Sequence, residues 1–278
     1  MRYRFAVTAT FLLLAAPGAS LAVPVLPDFS AAAFLPGAAI DNPWFPLGPG
    51  TRSVLDARAV IDGEAVFERT ELTFGGAGPE LLGVATTIQR DRAFEQGVIV
   101  EDTFDYYAQD AAGNVWYFGE DVMNYRYDEE GELIGTDTAS SWRAGENGAA
   151  PGFIMPAEPV VGFEYYQEFA PEDEAVDVAE IDAIDLMLNV GGVAWSDVLR
   201  TFETNPLEPE SLEYKYYTPG FGLIRIEEGL EERGGAPELT FDLQIAPVPL
   251  PAGLPLLVGA LTGLTRIIHQ RSQFGWRR

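Results

Sequence analysis

The chain of 278 residues has no cysteine and a single histidine. Without cysteine there can be no disulfide, no thiol nucleophile, no cysteine-held zinc and no lipid-modified cysteine anchor. The histidine, His269, stands in the C-terminal segment, so residues 23–247 carry neither His nor Cys. A Ser-His-Asp triad, a Cys-His pair and histidine-held zinc or iron are excluded there. Lysine occurs once, at Lys215, within Tyr214-Lys215-Tyr216-Tyr217, which reads as a strand. The run Gly75-Gly76-Ala77-Gly78 continues into Pro79 and lacks the lysine of a phosphate-cradling loop. For an enzyme, only carboxylate chemistry remains.

Acid is abundant: 43 Asp and Glu stand against 17 Lys and Arg, a formal net charge of −26. All the acids, but only 11 of the basic residues, fall within residues 23–247, which gives that span a net charge of about −32. Such a field repels nucleic acid and anionic headgroups and attracts cations. It suits a solvated acidic surface or, more sharply, a calcium site. The Asp-x-Asp-x-Asp-Gly series of a calcium loop is absent, and Gln109–Asn114 reads as a hairpin loop. With 47% hydrophobic and 12% aromatic residues, the chain can bury a core despite its charge.

Residues 1–22 have the pattern of a signal peptide. Arg2 and Arg4 precede an apolar run, Pro17-Gly18 breaks it, and Ser20 and Ala22 place small residues at the −3 and −1 positions of a cleavage site. At the other end, 250–268 is mostly apolar and, as a helix, would span roughly 28 Å, about one hydrocarbon core. Arg271, Arg277 and Arg278 follow it, which orients the domain outward and the tail toward the cytoplasm. The motif just before the run, Val248-Pro249-Leu250-Pro251-Ala252, resembles the VPLPA variant of the PEP-CTERM sorting signals. That resemblance implies recognition by an exosortase-type transpeptidase after signal peptidase has acted, with transfer to a surface attachment. Arg266, His269, Gln270 and Gln273 depart from the family's longer helix and compact arginine cluster, which leaves a plain, uncut anchor in the inner membrane as the alternative.

Between these ends the sequence predicts one antiparallel β domain over residues 51–247, either a barrel or a strongly curved sheet, preceded by a proline-rich extended lead-in over 23–50. Turn signals recur at Asp62-Gly63, Gly75-Gly76, Gln96-Gly97, Gly113-Asn114, Glu130-Gly131 and Gly191-Gly192, with β-branched and aromatic runs between them. Helical signals are few; 193–199 predicts a turn or two, and 182–188 reads more as strand than helix. The middle also resembles an uncharacterised exported bacterial β-rich family. Ile40–Leu47, Asp105–Asp110, Gly113–Asp121, Trp142, Pro151–Pro156 and Lys215–Leu223 carry the likeness. It implies a fold but no activity.

The candidate ligand-binding residues are Trp44, Trp116, Tyr117, Asp105 and Glu120; no catalytic or metal-binding residue is assigned. The aromatics can equally build the core, and Asp102 with Asp105, or Glu101 with Glu120, can form carboxylate pairs of the kind glycan hydrolysis needs. Three functions fit these readings. The first is a non-enzymatic envelope or matrix module, binding a small apolar or glycan ligand, with extracellular polysaccharide as a partner. The others are a carboxylate-dependent glycan hydrolase and a calcium-dependent adhesive protein.

Overall fold

A computed structural model describes residues 23–245 except 62 and 129. The leader and the sorting tail expected at 1–22 and 248–278 lie outside the described residues. Among the described residues, no helix is long and apolar enough to cross a membrane.

Among the described residues, fifteen strands form one sheet. They are β1 (Arg52–Ile61), β2 (Glu64–Leu81), β3 (Val84–Glu95), β4 (Val98–Gln109), β5 (Val115–Tyr127), β6 (Leu133–Asp137), β7 (Trp142–Arg143), β8 (Ala150–Met155), β9 (Glu164–Tyr166), β10 (Glu168–Phe169), β11 (Val178–Val190), β12 (Val193–Asn205), β13 (Glu208–Thr218), β14 (Gly222–Glu228) and β15 (Leu239–Leu243). The hydrogen-bonded path runs β10-β8-β5-β4-β3-β2-β1-β15-β14-β13-β12-β11-β9, with β6 and β7 beside β5. Every ladder is antiparallel, and consecutive hairpins build most of the sheet, as the spacing of turn residues predicts.

Of the two expected forms, barrel or strongly curved sheet, the barrel is corrected: the sheet is not closed. Its path ends at β10 and at β9, and no ladder joins them. The two end strands are nevertheless consecutive in the chain, separated only by Gln167, which puts Tyr166 and Glu168 within roughly 7 Å. The sheet therefore curls until its ends meet. At the break, the N–H groups of Gln167 and Glu168 both donate to the carbonyl of Asp177 (2.8 and 3.3 Å), which diverts the backbone from a closing ladder.

Two local expectations are also corrected. Residues 193–199 are strand, because Gly191 and Gly192 both take positive φ and fix a two-residue hairpin that pairs Val190 with Val193. Gly75-Gly76 is not a turn but a register shift inside β2, which continues to a turn at Leu82-Gly83.

The lead-in caps the fold. Val25 bridges Tyr165 of the end strand β9, Phe34 bridges Asp110, and Ile40 bridges Leu47. Phe29 and Phe34 lie edge-on against Trp116 and Phe118, with ring centroids 5.6–6.0 Å apart. Residues Val115–Gly119 are buried throughout, because the lead-in covers one face of β5 and the curl of the sheet covers the other.

Candidate functional site

Alternation along the strands sorts the charge of this protein into two populations. On one face, cross-strand ion pairs use the arginines: Arg69 Nε donates to Asp56 Oδ1 at 2.7 Å, an Arg90 guanidinium nitrogen reaches Asp102 Oδ2 at 2.6 Å, and one of Arg92 reaches Glu71 Oε2 at 2.6 Å. On the other face, residues of opposite parity in the same strands line a cavity of about 220 Å³. Gln89 and Asp91 come from β3, Glu101, Thr103, Asp105 and Tyr107 from β4, and Thr70 and Leu72 from β2. Phe221, which is 59% exposed, also lines the cavity and marks where it approaches solvent, beside Phe45 and Pro46 of the lead-in.

Six carboxyl groups line this space: Asp91, Glu101, Asp105, Glu120, Glu168 and Asp177. The only cation among the described lining residues is Lys215. Its Nζ lies 2.8 Å from Glu203 Oε2 and 2.9 Å from Glu213 Oε1. Burial works against this ammonium, but the two glutamates outweigh it and hold its pKa well above the usual lysine range.

The centre of the site is the phenol of Tyr117. Its oxygen lies 2.7 Å from Asp105 Oδ1 and 2.8 Å from Glu120 Oε2. Burial, reinforced by the neighbouring carboxylates, raises its pKa well above normal, so the phenol keeps its proton. One phenol hydrogen can be donated to one acceptor only. The second contact is a hydrogen bond only if that carboxyl itself carries a proton and donates to the phenol oxygen. Burial points the same way, lifting Asp105 to about 7 and Glu120 well above its usual range. Burial likewise raises Asp91, with Asp105 adding repulsion, and Glu168, with Asp177 adding repulsion. Asp177 is lifted to about 6, again by burial, with Lys215 opposing.

A bulge brings this cluster together. Asp105 pairs with Glu120 and Tyr107 with Tyr117, so β5 holds one more residue than β4 across the same stretch. Gly119, at φ 135°, takes up the extra residue. A Cβ there would collide with the Trp142 carbonyl and the Arg143 Cα.

Of the residues singled out in the sequence, Asp105, Tyr117 and Glu120 meet in the cavity. Trp116 faces the other way and donates from Nε1 to Asp110 Oδ2 at 2.8 Å. Trp44 packs against the main core, its backbone N–H donating to Asn42 Oδ1 at 2.9 Å, and it does not line the cavity. Asp102 is not paired with Asp105; it faces outward to Arg90. In the loop 109–114, Asp110 accepts from the N–H groups of Ala112 and Asn114, from Asn114 Nδ2 and from Trp116. Among the described residues, no three Asp or Glu side chains are grouped to hold a metal ion. The sequence reading missed Asp91, Glu168, Asp177 and Gln167. The first shares strand parity with the lining residues of β4; Gln167 and Asp177 lie outside the strands, and Glu168 stands in the two-residue β10, too short for a period to operate.

These observations define a mainly β protein whose single curled antiparallel sheet encloses an acidic cavity. Neither a protein-family model nor a curated protein matches the chain, so the resemblances carried by its motifs rest on those motifs alone. A solved structure of a "putative lipoprotein" from Parabacteroides distasonis ATCC 8503 aligns with 72% of this chain and 96% of that one, at 13% identity and a TM-score of 0.33. A likeness at that level carries no argument about either fold or activity.

Proposed function

We propose that this protein is an exported, envelope-located binding module whose cavity takes up a small polar ligand. One observation carries the ligand assignment. Asp91 Oδ1 and Gln167 Nε2 are shut off from solvent, find no hydrogen-bond partner among the described residues, and belong to residues that line the cavity. A buried polar atom left unpaired costs about 1–3 kcal/mol, which a ligand removes once the two side chains turn these atoms toward it. The space of about 220 Å³ lies below the roughly 300–1,000 Å³ of a drug-sized ligand pocket. It suits a compact molecule rather than a polymer chain. Support for export comes from the leader, 1–22, and for envelope attachment from the sorting motif and apolar run of 248–278, read as sequence.

The test uses the full-length chain, purified in detergent. A panel of small polar compounds is screened by thermal unfolding against the native protein and Ser53→Phe, which fills the cavity. At least one compound should raise Tm saturably in the native protein and not in the variant. No saturable shift, or equal shifts in both, overturns the ligand assignment. N-terminal sequencing of envelope material should begin at Val23, and recovery of the intact leader in the cytosol overturns the export assignment.

A second reading, hydrolysis by the Asp105–Glu120 pair, has one observation in its favour. Their shared contact with Tyr117 keeps the two carboxyl oxygens at most about 5.5 Å apart, near the separation in retaining glycosidases. The small cavity volume weighs against it. Turnover of a glycan that is lost in Glu120→Gln would establish it over simple binding.

A further inference from the structure

The chemistry of the ligand can be taken further, on the assumption that the cavity is a ligand site. We propose that the ligand is a small organic ammonium compound that also carries a hydrogen-bond acceptor, its cationic nitrogen seated against the carboxyl of Asp91.

Charge is distributed unevenly across the sheet. The arginines of β2 and β3 hold acids on the outer face, while six carboxyls line the cavity. Lys215, the only cation among the described lining residues, is already engaged by Glu203 and Glu213, neither of which lines the cavity. A wall serving stability alone would be apolar, since buried carboxyls without a counter-charge oppose folding. Burial holds protons on these carboxyls, and an entering cation displaces one and pairs with the carboxylate left behind.

The unpartnered atoms specify the rest. Asp91 Oδ1 is an acceptor awaiting a donor. Gln167 is only 4% exposed, and its Nε2 is a donor awaiting an acceptor. An amine on a hydroxyl-bearing frame satisfies both, and a bare metal ion satisfies only the first. The absence of any metal-holding trio of acids among the described residues also favours an organic cation. Tyr107, Tyr117 and Tyr217 add aromatic faces of the kind that attract ammonium groups. The hydroxyls of Ser53, Thr70 and Thr103 suit a polar frame better than an aliphatic one.

Titration calorimetry on the full-length protein at pH 6.5 tests the proposal with glucosamine, using glucose as the neutral analogue. Glucosamine should bind at least tenfold more tightly than glucose. Asp91→Asn should weaken glucosamine at least tenfold, whereas Glu71→Gln, on the outer face, should leave it unchanged. If Asp91→Asn does not fold, Asp177→Asn serves as the second variant, with the same expected direction. Equal affinity for the two sugars overturns the ammonium assignment, as does calcium chloride displacing glucosamine. If glucosamine does not bind while a neutral compound of the panel does, the charge assignment fails and the cavity stands as a ligand site. If nothing binds, both fail.

Discussion

Tyr117 and Glu120 point into the same cavity although they stand three positions apart on one strand. Regular alternation would put them on opposite faces; the bulge at Gly119 restores them to one. Replacing Gly119 with alanine should therefore damage both stability and site. Holding a non-glycine residue at φ 135° costs about 1–3 kcal/mol, and the collision with the Trp142 backbone adds a cost of similar size. Urea denaturation should show a loss of roughly 2–6 kcal/mol. Gly131→Ala, at φ 82° with no atom within 4 Å of an added Cβ, should incur only the conformational part. Equal losses in the two variants would mean that the bulge is not held by contact with Trp142.

Lys215 offers a contrast between buried and surface charge. Its ammonium sits between Glu203, which is 3% exposed, and Glu213. Lys215→Met leaves both carboxylates without their cation and should cost about 3–5 kcal/mol. Arg90→Ala removes an ion pair whose arginine side chain is 37% exposed and should cost under about 1 kcal/mol. The triple variant Lys215→Met, Glu203→Gln, Glu213→Gln should recover part of the loss, because the charges go together. Chemical denaturation of the three proteins side by side provides the check.

Much of this architecture can be read in the sequence where a local rule decides it. Gly191-Gly192 between valines predicts a hairpin, and the hairpin is there. Asp105, Tyr117 and Glu120 stand out as candidates, and they converge. The failures have specific causes. The parity rule separates Tyr117 from Glu120, and only the tertiary contact of Gly119 with Trp142 reveals the bulge that joins them. Asp102 and Asp105 are close in sequence, yet their parity sends one to Arg90 and the other inward. Gly75-Gly76 has turn composition, but pairing with β3 carries the strand through it. Gln167, Glu168 and Asp177 come from chain whose path is set by where the two ends of the sheet meet, a global property that no short window contains.

Asp110 should act on the fold and not on the cavity. Its two oxygens accept from the N–H groups of Ala112 and Asn114 at 2.9 Å each, and from Asn114 Nδ2 and Trp116 Nε1 at 2.8 Å each. Hydrogen bonds to a charged group contribute about 1.5–3 kcal/mol apiece and are not additive. Asp110→Ala should cost about 3 kcal/mol or more, and Asp110→Asn less. Tryptophan emission should shift to the red as Trp116 loses its packing. Ligand affinity of whatever folded protein remains should be unchanged, and a large drop in affinity would place this loop in the binding machinery.

The buried acids also set the pH dependence of stability. Asp105 rises from 3.8 to about 7 and Asp177 from 3.8 to about 6, both chiefly by burial. The native state therefore holds more protons than the unfolded chain between about pH 4 and 7, and stability falls as pH rises through that window. Their contribution is fully present below their unfolded values and lost above their folded ones. Asp182 runs the other way: burial opposes ionisation, but Arg233 and Arg200 hold its pKa low, so its contribution is lost in acid. Thermal unfolding should show a maximum near pH 4, where the two opposing trends meet. Each kcal/mol is worth roughly 2–4 °C at this size, so Tm should fall by several degrees between pH 5 and pH 8. Self-repulsion of the acidic surface has the same sign, but 0.5 M salt screens it. Asp105→Asn should flatten the remaining slope, and a slope that vanishes in salt and ignores this substitution would assign the effect to the surface instead.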